Sequence, residues 1–112
     1  MADPSDNETW LIDAGDLIVE KMQQCGLKGL TTWEQLVYGL WVADYGMRNA
    51  GDLKMSAELH PRFQTDASRL AVELSLALTK DLFSMPRRRL EKCYFDQFDA
   101  ICTEIRAAEP AR

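Results

Sequence analysis

Apolar positions recur along this chain with a period near 3.6, the spacing of one helical face, and nowhere with the strict alternation of a half-buried strand. The first such segment predicts a helix from Glu8 to Gln24, capped by Asp6 or Asn7, with residues 1–7 as a frayed leader. On a wheel of about 100° per residue, Leu11, Ala14, Ile18, Met22 and Cys25 share one arc and form an apolar stripe. Gly26 and Gly29 end the segment.

A second helix is expected to open at Thr32, where Thr32-Trp33-Glu34-Gln35 matches the S/T-x-x-E/Q capping box. Trp33, Leu36, Val37, Leu40 and Trp41 then follow at helical spacing. Gly39 lies inside this pattern and suits the close approach of another helix. The pattern fades near Met47, and Arg48-Asn49-Ala50-Gly51-Asp52 reads as a turn. Asn49 and Gly51 are its residues that accept a positive φ.

Leu53 to His60 predicts a short crossing helix, ended by Pro61. Asp66 to Phe83 predicts one long helix with Ala67, Leu70, Ala71, Leu74, Ala77, Leu78 and Leu82 on its stripe. Val72 and Leu76 lie on other faces, so this helix is expected to be central. The last helix is expected after a Ser84 cap, with Pro86 in its first turn. Leu90, Tyr94, Phe98, Ile101, Cys102 and Ile105 mark its buried face. The expected architecture is an all-α, single-domain bundle of four to five helices over residues 8–109, with a frayed C-terminus at 110–112.

Composition agrees with one globular domain: 112 residues, 46% of them apolar and 28% charged. No apolar run approaches the 18 or so residues of a membrane span, and the acidic start is not a signal peptide. The formal net charge of −5 argues against direct nucleic-acid binding, which needs phosphate neutralisation. Cys25, Cys93 and Cys102 are odd in number and hold no C-x-x-C pair, which fits free thiols and a cytoplasmic location.

Catalytic patterns are not found. His60 is the sole histidine, and the thiols are too dispersed in sequence to suggest a zinc site. No phosphate-cradling glycine pattern, G-x-S-x-G or H-E-x-x-H occurs. Neither a catalytic set, a cofactor nor a metal is therefore expected. Cys93 lies off the apolar face of the last helix, one turn after Arg89, and is the better candidate for a reactive thiol; Cys102 reads as core.

Two surface features carry the functional reading. Asp13, Asp16 and Glu20 fall within about 60° of one another, opposite the apolar stripe of the first helix. They are either an ordinary solvated face or a row that docks on a basic surface. Arg87, Arg88 and Arg89 sit in a helix's first turn, against the positive end of its dipole. Such a cluster needs a compensating acid, either the protein's own (on the first helix, or Asp96 and Asp99) or a partner's.

The run Trp33-Glu34-Gln35-Leu36-Val37-Tyr38, then Asp44-Tyr45, then Asn49-Ala50-Gly51, resembles a small all-helical family whose members include an acidic DNA-mimic protein. That family carries an Asn-Gly-Gly-aromatic turn; here Asn49 and Gly51 match, Ala50 replaces the middle glycine and Asp52-Leu53 replaces the aromatic. The resemblance implies a helical bundle that acts by binding another protein. The expected function is thus a non-enzymatic protein-binding module working through a charged helical surface, as a regulator or DNA mimic. Its expected partner is a protein with a basic surface, and a second copy of the chain is a further candidate because of the apolar fourth helix. The alternatives are an immunity- or antitoxin-like inhibitor of a basic partner, or a small thiol-dependent enzyme using Cys93.

Overall fold

Thr31, one residue ahead of the expected position, starts the second long helix. Its hydroxyl accepts from the Glu34 N–H at 3.1 Å, while the Glu34 carboxylate accepts from the Thr31 N–H at 2.9 Å. The capping box is thus real but reads Thr31-Thr32-Trp33-Glu34. Its partner at the far end is Gly51, at φ 74, whose N–H closes the helix on the Met47 carbonyl. Only a residue without Cβ adopts that conformation cheaply. Asn49, in contrast, stays inside the helix and donates its side-chain amide to the Tyr45 carbonyl at 2.7 Å.

The computed structural model describes residues 4–110. The chain forms α1 (Pro4–Cys25), a single 3-10 turn (Leu27–Gly29), α2 (Thr32–Ala50), α3 (Lys54–Leu59), α4 (Phe63–Glu73), α5 (Ala77–Phe83) and α6 (Arg87–Ala107). The protein is an all-α single domain, and no strand occurs among the described residues.

Three expected boundaries move, each for a physical reason. α1 begins at Pro4, which suits a first helical position because its missing N–H would have had no partner there. Of the expected leader, residues 1–3 lie outside the described residues, as do residues 111 and 112 at the other end. Asn7 is therefore not a cap. It is buried inside α1, where it donates to Asp99 at 3.0 Å and accepts from Arg106 at 2.9 Å.

The long fourth helix is broken into α4 and α5. Ser75 takes φ 59, its N–H bonds the Val72 carbonyl, and the Leu76 N–H bonds the Ala71 carbonyl. This pair of bonds is a Schellman closure, and buried Leu76 and Ala71 supply its apolar contact. Serine stands where glycine is usual, so composition does not announce the break. Finally, Ser84 does not cap α6. It ends α5 and shares a 2.7 Å hydrogen bond with Ser68, while Pro86 stands at the α6 cap without a side-chain bond.

α2, rather than the expected fourth helix, is central. Trp33, Leu36, Val37, Tyr38, Leu40, Val42, Ala43 and Met47 are all buried. Leu11 of α1, Phe63 and Leu70 of α4, Phe83 of α5 and the full expected stripe of α6 pack in the same core. Each fully buried leucine or phenylalanine contributes about 2 kcal/mol of apolar transfer.

Candidate interaction surface

α1 is held on its inner side by three tryptophans. Trp41 packs so closely on Gly15 that a Cβ there would overlap its ring. Trp10 lies 6.4 Å from Trp33, ring centre to ring centre. Trp33 donates its indole N–H to the Ile105 carbonyl at 2.9 Å, as a buried polar edge requires. The Arg106 guanidinium sits 5.4 Å from the Trp10 ring centre, which adds a cation–π contact from α6. These contacts leave the opposite side of α1 to solvent.

Asp13, Asp16 and Glu20 are all exposed on that outer side. Among the described residues none of the three makes an ion pair. The row lies between two concave apolar features. On one flank a cleft of about 340 Å³ is lined by Trp10, Asp13, Leu17, Trp33, Glu34 and Glu109. Leu17 is 67% exposed at its edge. On the other flank a groove of about 170 Å³ is lined by Ile12, Trp41, Asp44, Tyr45 and Arg48. Ile12 and Tyr45 are 47% and 42% exposed there.

Glu34 is less available than Asp13. It accepts from Lys21 Nζ at 2.8 Å as well as serving the capping box. Burial pushes its carboxyl pKa up, but the hydrogen bonds from Lys21 and Thr31 outweigh that and hold it below the usual value.

The second groove has a rigid floor. Arg48 bonds both carboxylate oxygens of Asp44 through Nε, at 3.0 and 2.9 Å, and reaches Glu8 at 3.7 Å. Tyr94 donates its hydroxyl to Asp44 at 2.6 Å. Burial pushes the Asp44 carboxyl up, against the opposing pull of Tyr94 and Arg48. The Arg48 guanidinium also covers the rings of Phe95 and Phe98, 5.2 and 4.8 Å from their centres. Phe95 itself is half exposed. An arginine pinned by a carboxylate and lying against the half-exposed Phe95 ring is the kind of anchor that protein interfaces use.

Arg87, Arg88 and Arg89 are exposed, and among the described residues none forms an ion pair. Of the two candidate compensations, an ion pair with the chain's own acids is not made among the described residues. Asp99 instead accepts from Asn7. The thiols also rearrange the expectation. Cys25 is exposed, not part of the stripe, because the last turn of α1 is solvated; its Sγ donates to the Lys21 carbonyl at 3.1 Å. Cys93 is half-buried against the core, and Cys102 is fully buried with its pKa pushed up to about 12, chiefly by burial. His60 faces Asp66 at 3.6 Å and the Tyr38 ring at 5.7 Å.

The two flanking grooves were missed in the sequence, although a signal existed. Leu17 and Ile12 fall on either side of the acidic row, at roughly 40° and 100° from Asp13 on the wheel, well off the buried arc. Single exposed apolar residues are ordinary, but exposed apolar residues on both sides of one acidic row are a pattern the wheel could have shown. No known protein family, no curated protein and no solved structure matches this chain.

Proposed function

We propose that this protein is a non-enzymatic protein-binding module whose outer α1 face engages a partner with a basic surface. The observation that carries the reading is the arrangement around that helix. Three exposed carboxylates, with no ion pair among the described residues, run between two grooves that present Leu17, Ile12 and Tyr45. Charge brings a basic partner in and fixes its register, while the apolar flanks supply the desolvated contact that slows dissociation.

An inhibitor that covers a basic toxin or a regulator of a DNA-binding protein would use the same face. The family resemblance at Asn49 and Gly51 leans toward the second of these. A thiol enzyme has less support, since Cys93 is half-buried and the exposed thiol is Cys25. Self-association has its own observation, in Val72 and Leu78, which are 60% and 49% exposed beside the α4–α5 break. No helix among the described residues is long and apolar enough to cross a membrane.

The test is capture from the native cell with two baits, the natural chain and an Asp13→Lys, Asp16→Lys, Glu20→Lys variant. A basic protein held by the first bait, released by 1 M salt and absent from the second is the expected result. At that salt the Debye length is about 3 Å and surface attraction is largely screened. Equal retention by both baits, insensitive to salt, would remove the acidic face from the function.

A further inference from the structure

α4 and the α5–α6 corner border an open cleft of about 640 Å³, which shares no residue with the α1 face. Its polar lining comes from Thr65, Ser68 and Arg69 on α4, Ser84 after α5, and Arg87 at the start of α6. No carboxylate lines it, in a chain with 18 acids against 13 bases. Gln64 is a builder of the wall: its amide donates to the Phe83 and Met85 carbonyls at 3.2 and 2.6 Å and ties α4 to the corner.

The remaining donors are uncommitted or shared. Ser68 and Ser84 bond each other across the cleft wall at 2.7 Å. Two hydroxyls in one bond use one hydrogen, which leaves a second free to donate. Arg69 is partly neutralised by Glu73 at 3.3 Å and Asp66 at 3.8 Å. Arg87 makes no ion pair among the described residues, and it stands where the dipole of the 21-residue α6 disfavours a cation. An anion in the cleft would remove that conflict. Arg88 and Arg89 do not line it.

We propose that this cleft binds the phosphate group of a small phosphate ester. Two guanidinium groups and three hydroxyls offer more donors than the two oxygens of a carboxylate can use, and a phosphate dianion presents three. The cleft is open and wider than a bare phosphate, with Thr65, Ser68 and Arg69 along its α4 side, which leaves room there for the ester's organic part.

The experiment is a titration of the isotope-labelled protein with inorganic phosphate and, separately, ribose 5-phosphate at constant ionic strength, read by amide shifts. Saturable shifts are expected at Thr65, Ser68, Ser84 and Arg87, with the ester binding at least tenfold more tightly than inorganic phosphate. Arg87→Ala and Arg69→Ala should each weaken binding about tenfold, the scale of one charge-assisted hydrogen bond. Arg88→Ala should leave it unchanged. These side chains are exposed, so folded variants with unaltered melting temperatures are expected. Equal affinity for the two probes would overturn the ester assignment. Shifts that do not saturate, or an equal loss in Arg88→Ala, would overturn the site itself.

Discussion

α1 and α6 are the two longest helices, and the acidic row of α1 differs from the carboxylates of α6 in what it touches. On α6, Glu91 accepts from the Leu53 N–H at 2.8 Å and so holds the start of α3. Glu104 accepts from the Leu78 and Thr79 N–H groups and from the Thr79 hydroxyl, at 3.0, 2.8 and 2.7 Å, and so holds the start of α5. Asp99 and Arg106 take both ends of the Asn7 amide. These four side chains are brackets: Glu91 and Glu104 fasten short helices to α6, and Asp99 and Arg106 fasten α1 to it. Among the described residues, Asp13, Asp16 and Glu20 on α1 make no ion pair. Short helices such as α3 and α5 are marginal alone; α3 has only the local bond from the Lys54 N–H to Asp52 at 3.0 Å and α5 has no side-chain cap, so carboxylates of α6 add remote acceptors. The difference shows that a row of acids on a helix wheel has no fixed meaning until its distance to orphan N–H groups is known.

The sharpest way to break this comparison is at Glu104. Glu104→Ala leaves two N–H groups and a hydroxyl of α5 without their acceptor, and Thr79 is fully buried. A loss of about 2–3 kcal/mol in a denaturant midpoint analysis is expected. A change below about 0.5 kcal/mol would show that α5 is held by packing alone.

Alkali should act on the inner side of α6 next. Burial first, then the Asp44 charge and its hydrogen bond, push the Tyr94 pKa well above its usual 10.0, and burial raises Cys102 to about 12. Both groups are raised in the folded chain. Their contribution is therefore complete below the unfolded values of 9.0 and 10.0, and is lost as pH climbs through the folded ones. Melting temperature should fall progressively above about pH 9, and Cys102→Val should remove part of that slope. A flat profile to pH 11 or so would contradict the burial of both groups.

The capping box gives a smaller effect with a built-in control. Thr31→Ala should destabilise by about 1 kcal/mol, whereas Thr32→Ala should change the denaturant midpoint by about a third of that or less. The reverse order would place the helix start one residue later, where the sequence pattern alone had put it.

That one-residue slip illustrates what was legible. The stripe of α6 from Leu90 to Ile105 could be read in full, because a long periodic face buried on a core leaves little freedom. The acidic row could be read as exposed for the same reason. The α4–α5 break could not, since serine at φ 59 has no compositional mark. Asn7 misled because its local preference for a cap was overridden by two partners 92 and 99 residues away. The grooves beside the acids arise from α2 packing on α1, with Glu109 closing one of them, and no single helix contains them.

The last test sharpens the comparison on the α1 side, where the expected stability change is smallest. Asp13, Asp16 and Glu20 are exposed, lie in the helix interior and make no ion pair among the described residues. Lysine propagates a helix as well as glutamate does and better than aspartate. Reversing all three should therefore shift stability by no more than about 0.5 kcal/mol, measured by thermal and urea unfolding at 0.15 M salt. Glu104→Ala, a single neutralising change, should exceed this threefold substitution several times over. A large loss in the triple variant would mean that the row supports the fold through longer-range attraction to the chain's own cations, and raising the salt would then weaken the natural protein toward the variant. If instead stability is unchanged at every salt concentration, these three carboxylates carry no structural duty, which is what a row kept for a partner's surface requires.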